Sequence, residues 1–381
     1  ARLYGLVRWF YPGDRAAMAD WDRMAIGAIP EVETASSQAE LASTLARVFE
    51  PFAPDLVISR SPLDAPTSHA PLAGQVYRWK HLGLGGTGGV YSSERERIAA
   101  SAVRPHVSGE LAFSAGGEGT LHYSMPLTVD AMQDNVGTQA IDLARPADWI
   151  PSGHDRTTRL AATIAGWAML DHFYPYWDTV DVDWDAELRA RLAEAATAPD
   201  DDAFVPVLER LIEPLADGHG RISYRNIFAT GLPLDWTLIG DRLVVTAVGE
   251  GVESLDVGME IETIDGTPVS EVLEAQMAQV SGSAQSKRNV ALLREKYSAA
   301  PRERVLGVVD AAGRRAQVHI ASVAGAVANN VEAARPEVVA ELEPGIIYVD
   351  LTRWDETVFA DNLDRLAQAN GIVFDMRGYP K

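Results

Sequence analysis

Toward its C-terminus the chain carries an apolar run, a helix-period segment and a second apolar run, a pattern that admits very few folds. Gly345-Ile346-Ile347-Tyr348-Val349-Asp350-Leu351 reads as a buried strand and Gly371-Ile372-Val373-Phe374-Asp375 as another. Between them Phe359, Leu363, Leu366 and Ala367 recur on one helical face, and Asn370-Gly371 supplies the helix stop. Strand, helix and strand make a βαβ unit, whose parallel pairing requires a right-handed crossover. In such sheets chemistry gathers just beyond the carboxyl ends of the strands. The Arg377-Gly378-Tyr379 turn falls at that edge and marks a candidate active-site wall.

An internal repeat organises the first half. Phe10-Tyr11-Pro12 is followed by Asp20-Trp21-Asp22, and Phe173-Tyr174-Pro175 by Asp183-Trp184-Asp185 at the same spacing. Each copy predicts an apolar helix before the Tyr-Pro break and an amphipathic helix after the Asp-Trp-Asp. In the second copy Trp184, Leu188, Leu192 and Ala195 share a face, and Asp183 suits the N-cap. A duplicated helical hairpin is the reading.

At 381 residues the chain calls for two to four domains. The pattern divides it into a helical hairpin (1–54), a β-rich insert (55–152), a second hairpin ending in Asp-Gly-His (153–228), a strand-and-turn module (229–325) and an α/β segment (326–381). Asn329 to Glu343 reads as a linker or helix leading into the last of these. The class is multidomain α+β. A formal charge of −21 disfavours nucleic acid and anionic membrane as partners, because either requires a basic surface. No apolar run approaches the ~18 residues of a membrane span. With no cysteine, disulfides, thiol catalysis and cysteine-ligated metals are excluded.

Two motifs carry chemistry. Asp217-Gly218-His219-Gly220 lies between an amphipathic helix (Phe204, Val207, Leu208, Leu211, Ile212, Leu215) and an expected strand, Arg221-Ile222-Ser223-Tyr224. The flanking glycines let the backbone turn sharply and leave the imidazole accessible, as a general base requires; a plain turn histidine fits the same residues. The second motif runs from Gly231-Leu232-Pro233-Leu234 to Gly258-Met259-Glu260-Ile261-Glu262-Thr263-Ile264-Asp265-Gly266-Thr267-Pro268-Val269. It reads as a strand, Ile261 to Ile264, turning at Asp265-Gly266, and it resembles the "GDxIxxINGxPV" segment of PDZ domains, with Met259 where Asp is usual. Such domains add an extended peptide end to a sheet edge. The resemblance implies peptide contact at Gly231, Leu232 and Leu234; a module of the same shape with a closed groove is the alternative.

Taken in order, a helix ending in Asp-Gly-His, a PDZ-like module and a strand-helix-strand closing on Asp-x-Arg-Gly resemble the tail-specific (C-terminal-processing) serine peptidases. The closer match is the branch of the tricorn core protease and interphotoreceptor retinoid-binding protein. The resemblance covers roughly residues 155–381. It implies the start of a crotonase-type α/β catalytic core, His219 as general base, and Arg377 and Gly378 in the turn beside the oxyanion hole. The sequence departs from the family's Arg-x-Asn-x-Gly-Gly by reading Arg377-Gly378-Tyr379-Pro380, and Pro380 has no N–H to donate. The resemblance puts the nucleophilic serine beyond Lys381, so the chain as it stands is expected to lack peptidase activity. It also implies a peptide or protein substrate, no cofactor, and an exported (periplasmic or extracellular) location, with a cytosolic one equally compatible with the residues. A non-catalytic peptide- or ligand-binding protein on the same fold is the rival reading.

Other motifs are weaker. Gly83-Leu84-Gly85-Gly86-Thr87-Gly88 fits G-x-G-x-x-G, yet Lys80-His81 precede it where an apolar strand should stand, so it reads as a loop. Asp181-Val182-Asp183-Trp184-Asp185 starts like a calcium loop, but Ala186 and Leu192 replace the required Gly and Glu. Tyr77-Arg78-Trp79-Lys80-His81 reads as a half-buried strand end or an aromatic binding loop. The remaining histidines are too scattered to predict a metal site.

Overall fold

The structure is a computed structural model that describes residues 1–63, 74–86, 89–100, 105–113, 119–131, 150–249, 252–324 and 335–377. It mixes helices with several small, mainly antiparallel sheets and divides into two compact units: Ala1–Arg225 with Leu273–Ala291, and Asn226–Val272 with Leu292–Lys381.

The first unit opens with helices α1 (Arg2–Phe10), α2 (Asp14–Ala17), α3 (Trp21–Glu33) and α4 (Gln38–Phe49). Strands β1 (Val57–Ser59), β2 (Gln75–Leu82), β3 (Ser92–Ala99), β4 (His106–Phe113), β5 (Gly119–Pro126) and β6 (Val129–Asp130) follow. Helices α5 (Arg156–Phe173), α6 (Trp184–Thr197) and α7 (Asp201–Ile212) come next, and a 3₁₀ turn (Glu213–Leu215) extends α7.

The repeat is reproduced down to its backbone angles. Helix α1 ends at Tyr11 (φ −81°, ψ 118°) and α5 at the equivalent Tyr174 (φ −71°, ψ 120°). Helices α3 and α6 start after Asp20 and Asp183, whose carboxylates accept the N–H of Arg23 and Ala186. The Asp183 segment is therefore a capped helix start. At the same spacing the match continues past the predicted hairpin: α4 and α7 are both 12 residues long, capped by Ser37 and Asp200, and followed by Glu50-Pro51-Phe52-Ala53 and Glu213-Pro214-Leu215-Ala216. The duplicated unit is a three-helix module. Its copies meet at equivalent residues, Phe10 stacking on Phe173 with centroids 6.1 Å apart. A shared core of Leu3, Val7, Trp21, Ile26, Phe49, Phe52, Leu160, Trp167, Trp184, Val207, Leu211 and Leu215 joins the helices.

The β-rich part of this unit forms two antiparallel sheets, ordered β1-β5-β4 and β3-β2-β6. Tyr77 to His81 belong to strand β2, which docks on the end of α1. His81 Nε2–H donates to the Trp9 carbonyl (2.7 Å), Trp79 Nε1–H to that of Tyr11 (3.1 Å), and Arg95 Nε–H to that of Pro12 (2.6 Å).

The second unit contains β7 (Thr230–Gly231), β8 (Leu234–Ile239), β9 (Arg242–Val248), β10 (Glu260–Ile264) and β11 (Thr267–Pro268). Helices α8 (Val269–Met277) and α9 (Ala284–Lys296) each run from one unit into the other along the chain. After them come β12 (Tyr297–Ser298), β13 (Glu303–Val309), β14 (Arg315–Ala321), β15 (Val323–Ala324), β16 (Val339–Glu343), β17 (Ile346–Asp350), α10 (Glu356–Ala367) and β18 (Gly371–Asp375).

An antiparallel sheet ordered β14-β13-β10-β9-β8, with β11 against β10, buries Leu243, Val245, Ile261, Ile264, Leu306, Val308, Val318 and Ile320. Asp265 (φ 50°) and Gly266 (φ 81°) are both left-handed, which a two-residue hairpin turn demands. Asp265 is held there because its carboxylate accepts the Val305 N–H (2.8 Å) and an Arg304 N–H (2.5 Å). The predicted βαβ unit is present: β17 and β18 pair in parallel, Ile346 opposite Gly371 through Asp350 opposite Asp375, with α10 between them in sequence. The expected linker or helix up to Glu343 instead includes strand β16, antiparallel to β17. Pairing with an apolar neighbour overrides the local helical preference of Ala340-Glu341-Leu342-Glu343.

Candidate functional site

The Asp-Gly-His turn lies in the first unit, directly after the 3₁₀ turn. The chain leaves that turn through Ala216 in a left-handed conformation (φ 52°), so the reversal is made by an alanine and not by either glycine. Asp217 then organises the next three residues: its carboxylate accepts the His219 N–H (2.8 Å) and its carbonyl the Gly220 N–H (2.9 Å). Its own N–H donates to Ser281 Oγ (2.9 Å) in the loop between α8 and α9. A Cβ on Gly282, itself at φ +130°, would lie 3.2 Å from Gly218 Cα, so position 282 requires glycine both for its backbone angle and for the close approach of this turn. Glu213 pairs with Lys287, and Tyr174 O–H donates to the Leu215 carbonyl (2.9 Å). The turn is thus clamped from several sides while the His219 ring is fully exposed, with Nδ1 3.7 Å from an Asp217 carboxylate oxygen. Chemically, this is an imidazole with an oriented backbone, an adjacent carboxylate and an open Nε2 face, suited to taking a proton from an incoming group.

The expected strand over Arg221–Tyr224 is not formed. Among the described residues no backbone N–H or C=O from Arg221 to Arg225 is hydrogen-bonded, and Arg221, Ser223 and Tyr224 are exposed.

In the second unit the carboxyl edge of β17 and β18 presents two carboxylates in register. Asp350, fully buried, accepts from Thr352 N–H (2.9 Å) and O–H (2.6 Å), Arg353 Nε–H (2.8 Å) and Arg335 (3.2 Å). Asp375 accepts from Tyr348 O–H (2.5 Å), from the Arg377 N–H (3.0 Å) and from the Arg377 guanidinium (2.6 Å). The Arg377 side chain therefore turns back on Asp375 and holds that carboxyl far below the usual carboxylate range, with the Tyr348 hydroxyl adding to the effect. Burial works against the Asp350 carboxylate, but the Thr352 and Arg353 hydrogen bonds prevail and leave it well below that range too. Gly378, the other residue assigned to this wall, lies outside the described residues. Sequence reasoning missed the Asp350 cluster, although an Asp at the end of an apolar strand followed by x-Thr-Arg signals such a capped edge.

Gly231 lies in β7, paired on one side with Tyr297 of β12 and on the other with Val323 of β15. Leu232 and Leu234 are completely buried; the Leu232 N–H donates to the Lys296 carbonyl (3.0 Å) and the Leu234 N–H to that of Leu232 (2.8 Å). The donors that a peptide carboxylate would need at these residues are thus occupied by the chain itself. A buried ion pair between Lys296 and Asp235 flanks them. Among the described residues no three potential ligands gather in a way that could hold a metal ion, and no helix is long and apolar enough to cross a membrane.

No known protein family and no curated protein matches the chain. Solved structures similar to it include three of CPAF, a chlamydial serine protease. The mature protein is 15% identical with a TM-score of 0.43, over 57% of this chain and 54% of that one. Its complex with lactacystin is 14% identical with a TM-score of 0.44, over 57% and 55%. A serine-to-alanine mutant is 18% identical with a TM-score of 0.39, over 44% and 34%. The chain thus spans between about a third and about half the length of these structures.

Proposed function

We propose that the chain forms part of a serine peptidase of the tail-specific processing type, with His219 as the general base. The observation that carries this reading is the Asp217–Gly220 turn: its backbone is clamped by Ser281 and the Gly218–Gly282 approach, yet its imidazole is open. A turn histidine with a purely structural task would be expected to bury its ring or hydrogen-bond it. This one does neither, and a general base must reach a proton at hydrogen-bond distance. The nucleophile would be a serine from a further strand-to-helix turn, attacking the peptide carbonyl while His219 takes its proton.

The test is covalent labelling of the protein carrying its serine-bearing segment with a fluorophosphonate probe. Labelling should fall by at least ~100-fold in His219→Ala, while thermal stability changes by less than ~0.5 kcal/mol because the ring is exposed. Undiminished labelling would leave His219 a surface residue and favour the non-catalytic binding protein.

A further inference from the structure

The two copies of the three-helix module diverge at one place. In the first, Ala53-Pro54-Asp55-Leu56 leads straight into β1, where Val57, Ile58 and Ser59 pair antiparallel with Ser124, Tyr123 and His122 of β5. In the second, Ala216 leads through the His219 turn, one residue longer, into Arg221-Ile222-Ser223. Allowing for the one extra residue, Ile58 and Ile222 correspond in sequence, and each is partly buried against the helical core. Yet where β1 has β5, the backbone of Arg221–Tyr224 has no partner among the described residues and its other side chains face solvent.

We propose that Arg221–Tyr224 is the vacant strand position of the second copy and that it binds an extended peptide by antiparallel pairing, beside His219. Three observations favour this occupant. The equivalent segment already accepts an antiparallel strand, so the module's geometry suits a ladder at this position. Ile222 packs against the helical core, which fixes which face of the segment looks inward. A row of unpaired N–H and C=O groups is a template for another chain, and backbone hydrogen bonds supply affinity without demanding one side-chain sequence. The identity of the peptide as substrate rests on the peptidase reading; the pairing itself does not.

Hydrogen–deuterium exchange of the chain with and without β-casein, an unstructured polypeptide probe, tests it. Amides from Arg221 to Arg225 should exchange at least ~10-fold more slowly with casein at saturation. Ser223→Pro, which removes one donor and blocks the extended ladder, should abolish that protection with exchange elsewhere unchanged. His219→Ala should keep the protection, so loss of labelling in that variant with protection retained would bear on the catalytic role alone. Absence of protection at these amides would overturn the proposal. So would protection that grows with protein concentration in the absence of casein, since that would make a second copy the occupant. Should Ser223→Pro fail to fold, the casein-dependent exchange of the unaltered chain decides by itself.

Discussion

Single side chains in this protein do two opposite jobs. Asp217 organises a turn that leaves the His219 ring exposed, whereas Asp375 holds Arg377, two residues on, through both its backbone N–H and its guanidinium. Replacing Asp217 by Ala removes the acceptor of the His219 N–H and should loosen the turn by about 1 kcal/mol, read as faster amide exchange at His219 and Gly220 with the global unfolding temperature nearly unchanged. For Asp375 the sign follows from its depressed folded-state pKa. The carboxylate–arginine contact stabilises the βαβ unit fully above the ordinary Asp range of ~4 and is lost as pH falls toward the folded value. Acid unfolding of the second unit followed by circular dichroism should therefore move to higher pH in Arg377→Ala. Sequence placed His219 in a tight turn but gave the conformational freedom to its glycines. The left-handed residue is Ala216, and the glycine constraint comes from Gly282, in a loop whose Ser281 is 64 positions from Asp217. No local pattern could contain that information.

At the scale of elements, capping chemistry was legible and pairing partners were not. Asp183 and Asp20 each cap a helix as their Asp-Trp-Asp contexts imply, and each replaced by Ala should cost about 1 kcal/mol in chemical denaturation, with similar values for the two copies. Trp167, fully buried and stacked on Trp184 with each indole N–H donated to the other's carbonyl, ties α5 to α6. Trp167→Ala should cost about 3–5 kcal/mol, measured by the denaturant midpoint of the tryptophan-rich first unit. Two strand assignments went the other way: Arg221–Tyr224 has strand-like residues without a ladder among the described residues, and Val339–Glu343 has helix-like residues within one. A strand exists only where a second strand meets it, so its presence depends on distant chain.

For the whole molecule, charge and apolar periodicity set the broad terms. A net charge of −21 means that self-repulsion opposes the compact state, and the Debye length shrinks from ~30 Å to ~10 Å between 10 and 100 mM salt. Adding NaCl over that range should raise the unfolding temperature by a few degrees, ~2–4 °C, in a calorimetric scan; a fall would mean that the exposed ion pairs outweigh the repulsion. The sequence by itself determined the helical duplication, the parallel β17–β18 pair and the β10–β11 hairpin, because hydrophobic period, caps and a two-residue turn act within a few positions of one another. Tertiary structure alone decided that Leu232 and Leu234 spend their backbone donors inside the chain, that Arg377 faces Asp375, and that the segment after His219 has no ladder among the described residues. Each of these turns on which distant backbone groups find partners, and a linear pattern of side chains does not specify that.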